Sequence, residues 1–324
     1  MHRRHFLSTV AAAGALCANP AFAQGKLPSG PVRILVGFSA GGGTDILARI
    51  IANKLNVLWG IPVIVENKAG AAGLIAAAEA AKAAPDGNTL MMGHINALGI
   101  APALYPKLGF SPDKDFAAIA LVGQTPQVLV ASPKSAATLP ALLEQLKKKP
   151  GEVSFGSSGT GSAQHLALAL FEQSANVSAL HVPYRGAANV MTDLVGSQID
   201  YAFEGMTTAS PFIKGGKIKA IAQTGLKRAK AFADVPTVAE QGYPGFNASI
   251  WFGLVGPARM PADVVARINN DVNQVLKMPD VVSRLEEFGA EDGGGTPQRF
   301  DAFMRDERAK WARLIRARGI KVDA

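Results

Sequence analysis

The chain has 324 residues, 33 Lys and Arg against 25 Asp and Glu, a formal net charge of +8 and a single cysteine. That length can bury a core as one large domain or as two lobes without disulfide staples. The basic residues are scattered, with one short run at Lys147-Lys148-Lys149 and no basic stripe interleaved with aromatics, which argues against a nucleic-acid partner; a mild positive field favours small anionic ligands instead.

Residues 1–23 read as a cleaved signal peptide. Arg3 and Arg4 make a basic start, Val10 to Ala18 an apolar core too short to span a bilayer, and Ala21-Phe22-Ala23 a small-x-small cleavage site. Arg3-Arg4-His5-Phe6-Leu7 also resembles the twin-arginine signal, so both export routes stay open. Either way the expected location is periplasmic. Leu16 precedes Cys17 where a lipoprotein box has a small residue, so no lipid anchor is expected and the mature chain is not membrane-embedded. Cys17 leaves with the leader, and with it any thiolate metal site or disulfide.

The mature chain opens on the apolar run Ile34-Leu35-Val36, read as a buried strand. Gly41-Gly42-Gly43 follows, and then apolar residues at helical spacing: Ile46, Leu47, Ile50, Ile51 and Leu55. A strand, a Gly-rich turn and a helix start make an anion site, because the first N–H groups of a helix have no internal partner and the macrodipole is positive there. Val153-Ser154-Phe155-Gly156-Ser157-Ser158-Gly159-Thr160-Gly161-Ser162-Ala163-Gln164-His165 repeats the design, which predicts two half-sites closing on one small anion. Asp45, in the first turn, either serves the dipole or orients a water or a ligand hydroxyl or amine. Thr160 and Ser162 either cap the second helix or donate to a carboxylate.

Ten strand-like runs are expected: Val32–Val36, Val63–Val65, Thr89–Met92, Ile119–Val122, Val128–Ala131, Val153–Phe155, Ala179–Val182, Ile199–Phe203, Ile218–Ala222 and Ile250–Val255. Helical segments lie between them at Leu74–Ala84, Leu139–Lys149 and Ser162–Gln173. The alternation predicts an α/β fold of mostly parallel sheets flanked by helices, with ligands beyond the carboxyl ends of the strands. From Pro257 onward the pattern is helical: Val264, Val265, Ile268, Val272, Val275 and Leu276 lie on one face, a short helix fits Pro279 to Phe288, and Thr296-Pro297 opens a last helix whose apolar stripe is read as packing. No linker or repeat divides the chain. Strands running between two lobes are therefore placed near Gly123–Pro126 and Phe246–Ile250, giving a leader at 1–23, lobe 1 at 24–122, lobe 2 at 123–249, and a return to lobe 1 with C-terminal helices at 250–324.

Enzyme motifs are near misses. The glycines lack the dinucleotide spacing, neither loop ends in the Lys-Ser/Thr of a phosphate-binding loop, and Thr160 stands where a nucleophile elbow has glycine. The mature histidines, His94, His165 and His181, form no metal-binding pair, and no metal or cofactor is expected. Ser158 with His165 is the one arrangement that would support a hydrolase or transferase. Arg185, after the strand ending at Val182, is either a partner for an acidic ligand or a surface residue. Glu204, after the strand Ile199–Phe203, either borders the cleft or faces solvent.

Four further phrases complete the pattern: Val65-Glu66-Asn67-Lys68-Ala69-Gly70, Ala84-Pro85-Asp86-Gly87-Asn88-Thr89, His181-Val182-Pro183-Tyr184-Arg185-Gly186, and Pro236-Thr237-Val238-Ala239-Glu240-Gln241-Gly242-Tyr243-Pro244-Gly245-Phe246. With the two glycine loops, and in this order, they resemble the Bug-type substrate-binding proteins of tripartite tricarboxylate transporters. The resemblance implies a two-lobed periplasmic binding protein of the Venus-flytrap kind, type II-like, with the ligand cleft between the lobes. It also implies a monomer that binds a small carboxylate and serves the membrane subunits of a transporter. Its pocket maps onto Phe38, Ser39, Ala40, Gly43, Thr44 and Asp45 in one lobe. In the other it maps onto Ser158, Gly159, Thr160, Gly161, Ser162 and the Gly186-Ala187 turn, with His94, Ile95 and Asn96 on a variable side; apart from the resemblance, Arg185 and Glu204 would meet the far end of the ligand if they face the cleft. Gly37, Ala69, Leu74, Asn189 and Arg259-Met260 depart from the family pattern. The leading expectation is a receptor for a small mono- or dicarboxylate; the alternatives are the Ser158/His165 enzyme and a receptor feeding a sensor kinase.

Overall fold

The computed structural model describes residues 28–322 apart from Asp292. The expected leader, Cys17 included, lies outside the described residues.

The first lobe starts as the sequence suggests. Strand β1 (Val32–Val36) buries all but Arg33. Helix α1 (Gly43–Trp59) sinks Leu47, Ile51 and Leu55 completely, leaving Ile46 and Ile50 half-buried. Gly60, left-handed at φ 67°, closes the helix by donating to Asn56. Next come β2 (Val63–Asn67), a tight turn at Ala71–Gly73, α2 (Leu74–Ala81) and β3 (Thr89–His94). A single π-helical turn at Asn96–Ile100 then runs into α3 (Ala101–Leu104), an element that no periodicity announces. β4 (Phe116–Thr125) completes this part.

Pro126 alone separates β4 from β5 (Gln127–Ala131), yet the two belong to different sheets. Proline has no N–H for a ladder, so the strand breaks there and the chain changes sheet. The second sheet continues through α4 (Leu139–Lys148), β6 (Ser154–Ser157), α5 (Ala163–Ala175) and β7 (Leu180–Pro183). It ends with α6 (Ala187–Val195), β8 (Tyr201–Gly205), α7 (Met206–Lys214) and β9 (Lys219–Gln223). β10 (Ile250–Pro257) returns to the first sheet, followed by α8 (Ala262–Val275), α9 (Pro279–Glu287) and α10 (Pro297–Arg318).

The two five-stranded sheets share one plan: β2-β1-β3-β10-β4 and β7-β6-β8-β5-β9. In each, four strands point one way and one runs against them, so the sheets are mixed. The reversed strands, β10 and β5, are the ones that enter from the other lobe. The crossings lie side by side. The Gln127 N–H donates to Thr224 Oγ1 at 2.8 Å, Thr224 N–H returns a bond to the Gln127 carbonyl at 2.9 Å, and the Gln127 amide donates to the Ala248 and Ala163 carbonyls. Helix α10 touches both lobes: Trp311 is buried, and Arg318 at its end pairs with Glu172 of α5 at 2.5 Å. Among the described residues no helix is long and apolar enough to cross a membrane.

Candidate functional site

A cavity of about 510 Å³ lies between the sheets, within the usual range for small-molecule sites. Its walls are built largely from the starts of helices.

On the first lobe, Phe38, Gly42, Gly43 and Thr44 line it. Gly42 caps α1 without a side-chain hydrogen bond, so the first N–H groups of the helix lack that partner. Asp45 is turned elsewhere. Its carboxylate accepts from Gly41 N–H, Arg49 Nε and Asn67 Nδ2, each at 2.9 Å, and Asn67 Nδ2 also donates to the Phe38 carbonyl at 3.0 Å. Burial pushes the Asp45 carboxyl up, but these hydrogen bonds more than offset it and hold the group below the ordinary aspartate value. Asp45 thus rivets the loop and does not line the cavity. Ser39 and Ala40 are exposed and also lie off its wall, because the turn, closed by Gly42 N–H on the Ser39 carbonyl, puts them outside.

Ala71, Ala72 and Leu74 join this wall, though no motif singled out the two alanines. Both have left-handed backbones, φ 45° and 53°, unusual for a residue with a Cβ. The turn packs so closely that a Cβ on Gly37 would lie 2.5 Å from Gly73 Cα, which accounts for glycine at position 37.

His94 and Asn96 form the next wall, while Ile95 is fully buried in the core and does not line the cavity. His94 sits edge-on to Phe38 with ring centroids 4.7 Å apart, and beside Phe252 at 5.3 Å. Burial pushes its pKa down to about 3, so the ring is neutral. Nδ1 accepts from Asn96 N–H at 3.1 Å, which leaves the proton on Nε2. Asn96 Oδ1 is buried with no hydrogen-bond partner.

On the second lobe, Ser158, Thr160, Gly161, Ser162, Ala163 and Gln164 line the cavity. Ser162 caps α5, accepting from His165 N–H at 3.2 Å. Gly159 is not on the wall, since its N–H and its carbonyl are both bonded to Ser157 Oγ. The Ser158–His165 pair does not form. Ser158 Oγ is buried without a partner, and His165 Nδ1 accepts from Gly161 N–H at 3.0 Å. The His165 ring instead stacks on His181, centroids 3.8 Å apart and 2° from parallel. Burial first, then the nearby His181 and Arg318, push its pKa down to about 4.

Arg185, Gly186 and Ala187 line the mouth, with Arg185 exposed; Glu204, Gly205, Thr207 and Thr208 line the interior, and Ile250 and Phe252 of β10 add apolar surface. Glu204 is 1% exposed. Its Oε1 accepts from Gly205 N–H at 2.9 Å and Gln164 Nε2 at 3.2 Å, while Oε2 is buried with no partner. Burial pushes its pKa up to about 7, against the lowering effect of those two bonds. Gly186 and Gly205 start α6 and α7 without side-chain caps. The start of α6 is the Gly186-Ala187 turn that the family resemblance singled out, whereas the start of α7 with Thr207 and Thr208, and Leu104 of α3, were marked by no motif.

Four helix N-termini, those of α1, α5, α6 and α7, therefore open on one cavity. Their partial positive ends suit a small anion, and Phe38, His94, Ile250 and Phe252 exclude water around it. Among the described residues no cluster of three His, Cys, Asp or Glu side chains could hold a metal.

The chain matches the family described as the tripartite tricarboxylate transporter family receptor, TctC, over residues 47–320. It is 35% identical over 297 residues to Protein BugT of Bordetella pertussis, covering 91% of both chains. Among solved structures it resembles Rpa4515 of R. palustris with adipate, at TM-score 0.85 and 31% identity, covering 91% of this chain and 99% of that one. It also resembles MatC from Rhodopseudomonas palustris with bound malate, at TM-score 0.78 and 33% identity, covering 89% and 100%. The family consists of solute-binding receptors, which overturns the Ser158/His165 enzyme as a reading of this fold. The chain belongs to the TctC family of tripartite tricarboxylate transporter receptors, and it is a receptor and not an enzyme.

Proposed function

We propose that this chain, exported to the periplasm after loss of residues 1–23, binds one small carboxylate as a monomer and delivers it to the membrane subunits of a tripartite tricarboxylate-type transporter. One observation carries the reading: four helix N-termini, three without side-chain caps, line a single cavity between the lobes. The N–H groups of Gly43 and Thr44 on one side, and of Ala163 and Gln164 at the start of α5 on the other, are assigned to the ligand carboxylate, with Ser158 Oγ and Thr160 as hydroxyl partners. Adipate in Rpa4515 and malate in MatC support a carboxylate as the ligand class. The crossings at Pro126 and ahead of β10 serve as the hinge between a lobe built from residues 24–122 and 250 onward and a lobe spanning 123–249.

A thermal-shift screen of the mature protein against mono-, di- and tricarboxylates, aromatic acids and amino acids tests this. A ligand that binds the folded state alone stabilises it by RT ln(1 + [L]/Kd), about 2.7 kcal/mol at a hundred times Kd. Small mono- or dicarboxylates should stabilise the protein; no response to any carboxylate overturns the receptor reading. Gly161→Val adds a second check. Gly161 has φ 78°, and its Cβ would lie 2.5 Å from Leu104 Cδ1. Valine there strains the turn and shifts the loop. Calorimetry with the best binder of the screen should show affinity at least tenfold weaker, about 1.4 kcal/mol. Unchanged affinity removes this loop from the site.

A further inference from the structure

The cavity holds an asymmetry that a simple anion cradle does not explain. Its helix N-termini supply donors, yet two of its side chains, Glu204 and Asn96, hold a buried acceptor oxygen without a partner. Glu204, 1% exposed, satisfies Oε1 through Gly205 N–H and Gln164 Nε2 and leaves Oε2 buried and unpartnered. Asn96, on the opposite lobe, leaves Oδ1 in the same state. A buried polar atom without a partner costs free energy that a ligand of the right chemistry recovers. The carboxamide of Gln164 is already oriented by Glu204, so it offers Oε2 no second bond in this arrangement.

We propose that Glu204, with Asn96, sets the specificity of the site. The two side chains receive the far end of the ligand, and that end is a hydrogen-bond donor, so the chain selects monocarboxylates bearing a hydroxyl, carboxamide or ammonium group over dicarboxylate dianions of the same length. This rests on the carboxylate-receptor reading. Each donor group gives Oε2 and Oδ1 what they lack. A second ionised carboxylate gives them nothing and sets a negative charge beside a desolvated carboxyl, an element of repulsion of the kind that specific sites use against wrong ligands. Arg185, the basic side chain among the lining residues, is exposed at the mouth, where solvent and salt screen it. It therefore does not reverse the preference set by a buried acid. The hydroxyls of Thr207 and Thr208, on the helix that follows Glu204, can turn either way and do not discriminate.

The test is a matched panel at pH 8: dicarboxylates of three to six carbons, each with its monoamide, its ω-hydroxy and its ω-amino analogue, measured by calorimetry on the mature protein. At the length that binds best, at least one donor analogue should bind tenfold or more tighter than the dicarboxylate. In Glu204→Gln, whose new amide can donate to a carboxylate, that ratio should fall to threefold or less. A wild-type dicarboxylate that binds as tightly as its donor analogues overturns the proposal, and so does a ratio unchanged in the variant. If Glu204→Gln does not fold, Glu204→Asp is the second variant: it keeps the charge, withdraws the oxygen, and should weaken the donor analogues by at least fivefold. The outcomes separate the two readings. Carboxylate binding without the preference removes the role of Glu204 and leaves the receptor standing. No binding by any member of the panel, nor by adipate, malate or citrate, removes both.

Discussion

Gly43→Val should weaken carboxylate binding by about a hundredfold, about 2.7 kcal/mol, while leaving the empty protein folded. Gly43 is the first residue of α1, and its backbone is in the ordinary helical region, so valine meets no conformational strain. Space is the obstacle. A Cβ at this position would lie 3.0 Å from Thr207 Oγ1 and 3.8 Å from the Phe252 ring, in the narrow part of the cavity between the two lobes. The two further methyl groups of valine would occupy the place assigned to the ligand carboxylate and hold α1 away from α7. Gly43→Ala should fall between wild type and valine. Calorimetry measures affinity, and a thermal melt without ligand checks the fold. Wild-type affinity in Gly43→Val would show that the start of α1 is not part of the site.

Acid should destabilise the protein before carboxylates of ordinary pKa are protonated. His94 is neutral in the folded state with a pKa of about 3, and His165 with a pKa of about 4, against about 6.5 for an unfolded histidine. Between those values the unfolded chain holds more protons than the folded one, so stability rises with pH. It is complete above about pH 6.5 and is lost as pH falls towards 4, on the order of 3 kcal/mol for His94 by that point. Glu204 acts in the opposite sense. Its raised pKa lets the folded state hold a proton between the ordinary glutamate value and about 7, which offsets part of the loss. His94 is packed against Phe38, Phe252 and Asn96 N–H, with Tyr105, Arg185 and Glu204 as the other titratable or charged groups on the cavity wall; His165 faces His181 and Arg318. Urea unfolding at pH 7 and pH 4.5 should show the loss. His94→Gln, which can still accept from Asn96 N–H but does not titrate, should lose less stability over that interval. An identical pH dependence in the variant would mean that His94 is not the group responsible.

Most of the ten strands were legible as apolar runs of the right length bounded by turn residues, with β6 and β7 carrying the weakest such pattern. Buried strands leave that mark wherever they pair. The first and fifth helices were legible for a related reason, since glycines or a capping serine stand just ahead of a 3.6-residue apolar pattern. Pro126 marked a place where a strand cannot continue. Other features left no such mark. The reversal of β5 and β10 within their sheets is a matter of which strands pair, and pairing depends on partners far apart in the chain, such as Ala131 with Tyr201 and Ile250 with Thr125. The π-helical turn at 96–100 has no period to read.

The candidate site divides along the same line. The residue types that suit an anion, the glycine loops at 41–43 and 159–161 and the cap Ser162, are local facts of the chain, and so is the family pattern that their order makes. Which side chains turn into the cavity is not local. Asp45 could serve the helix dipole or a ligand on sequence grounds, but Arg49 and Asn67 lie within its reach and hold its carboxylate in the loop. Ser158 and His165 are close in sequence, yet Gly161 N–H occupies the histidine and His181 stacks on it. Glu204 could have faced solvent on sequence grounds. Only the packing of β8 between β6 and β5, with α7 beginning at Gly205, buries it and leaves Oε2 without a partner. Local sequence determines which backbone a segment prefers and which groups it carries. Burial, and with it the cost of an unsatisfied oxygen or a charged imidazole, is set by what the rest of the chain brings alongside.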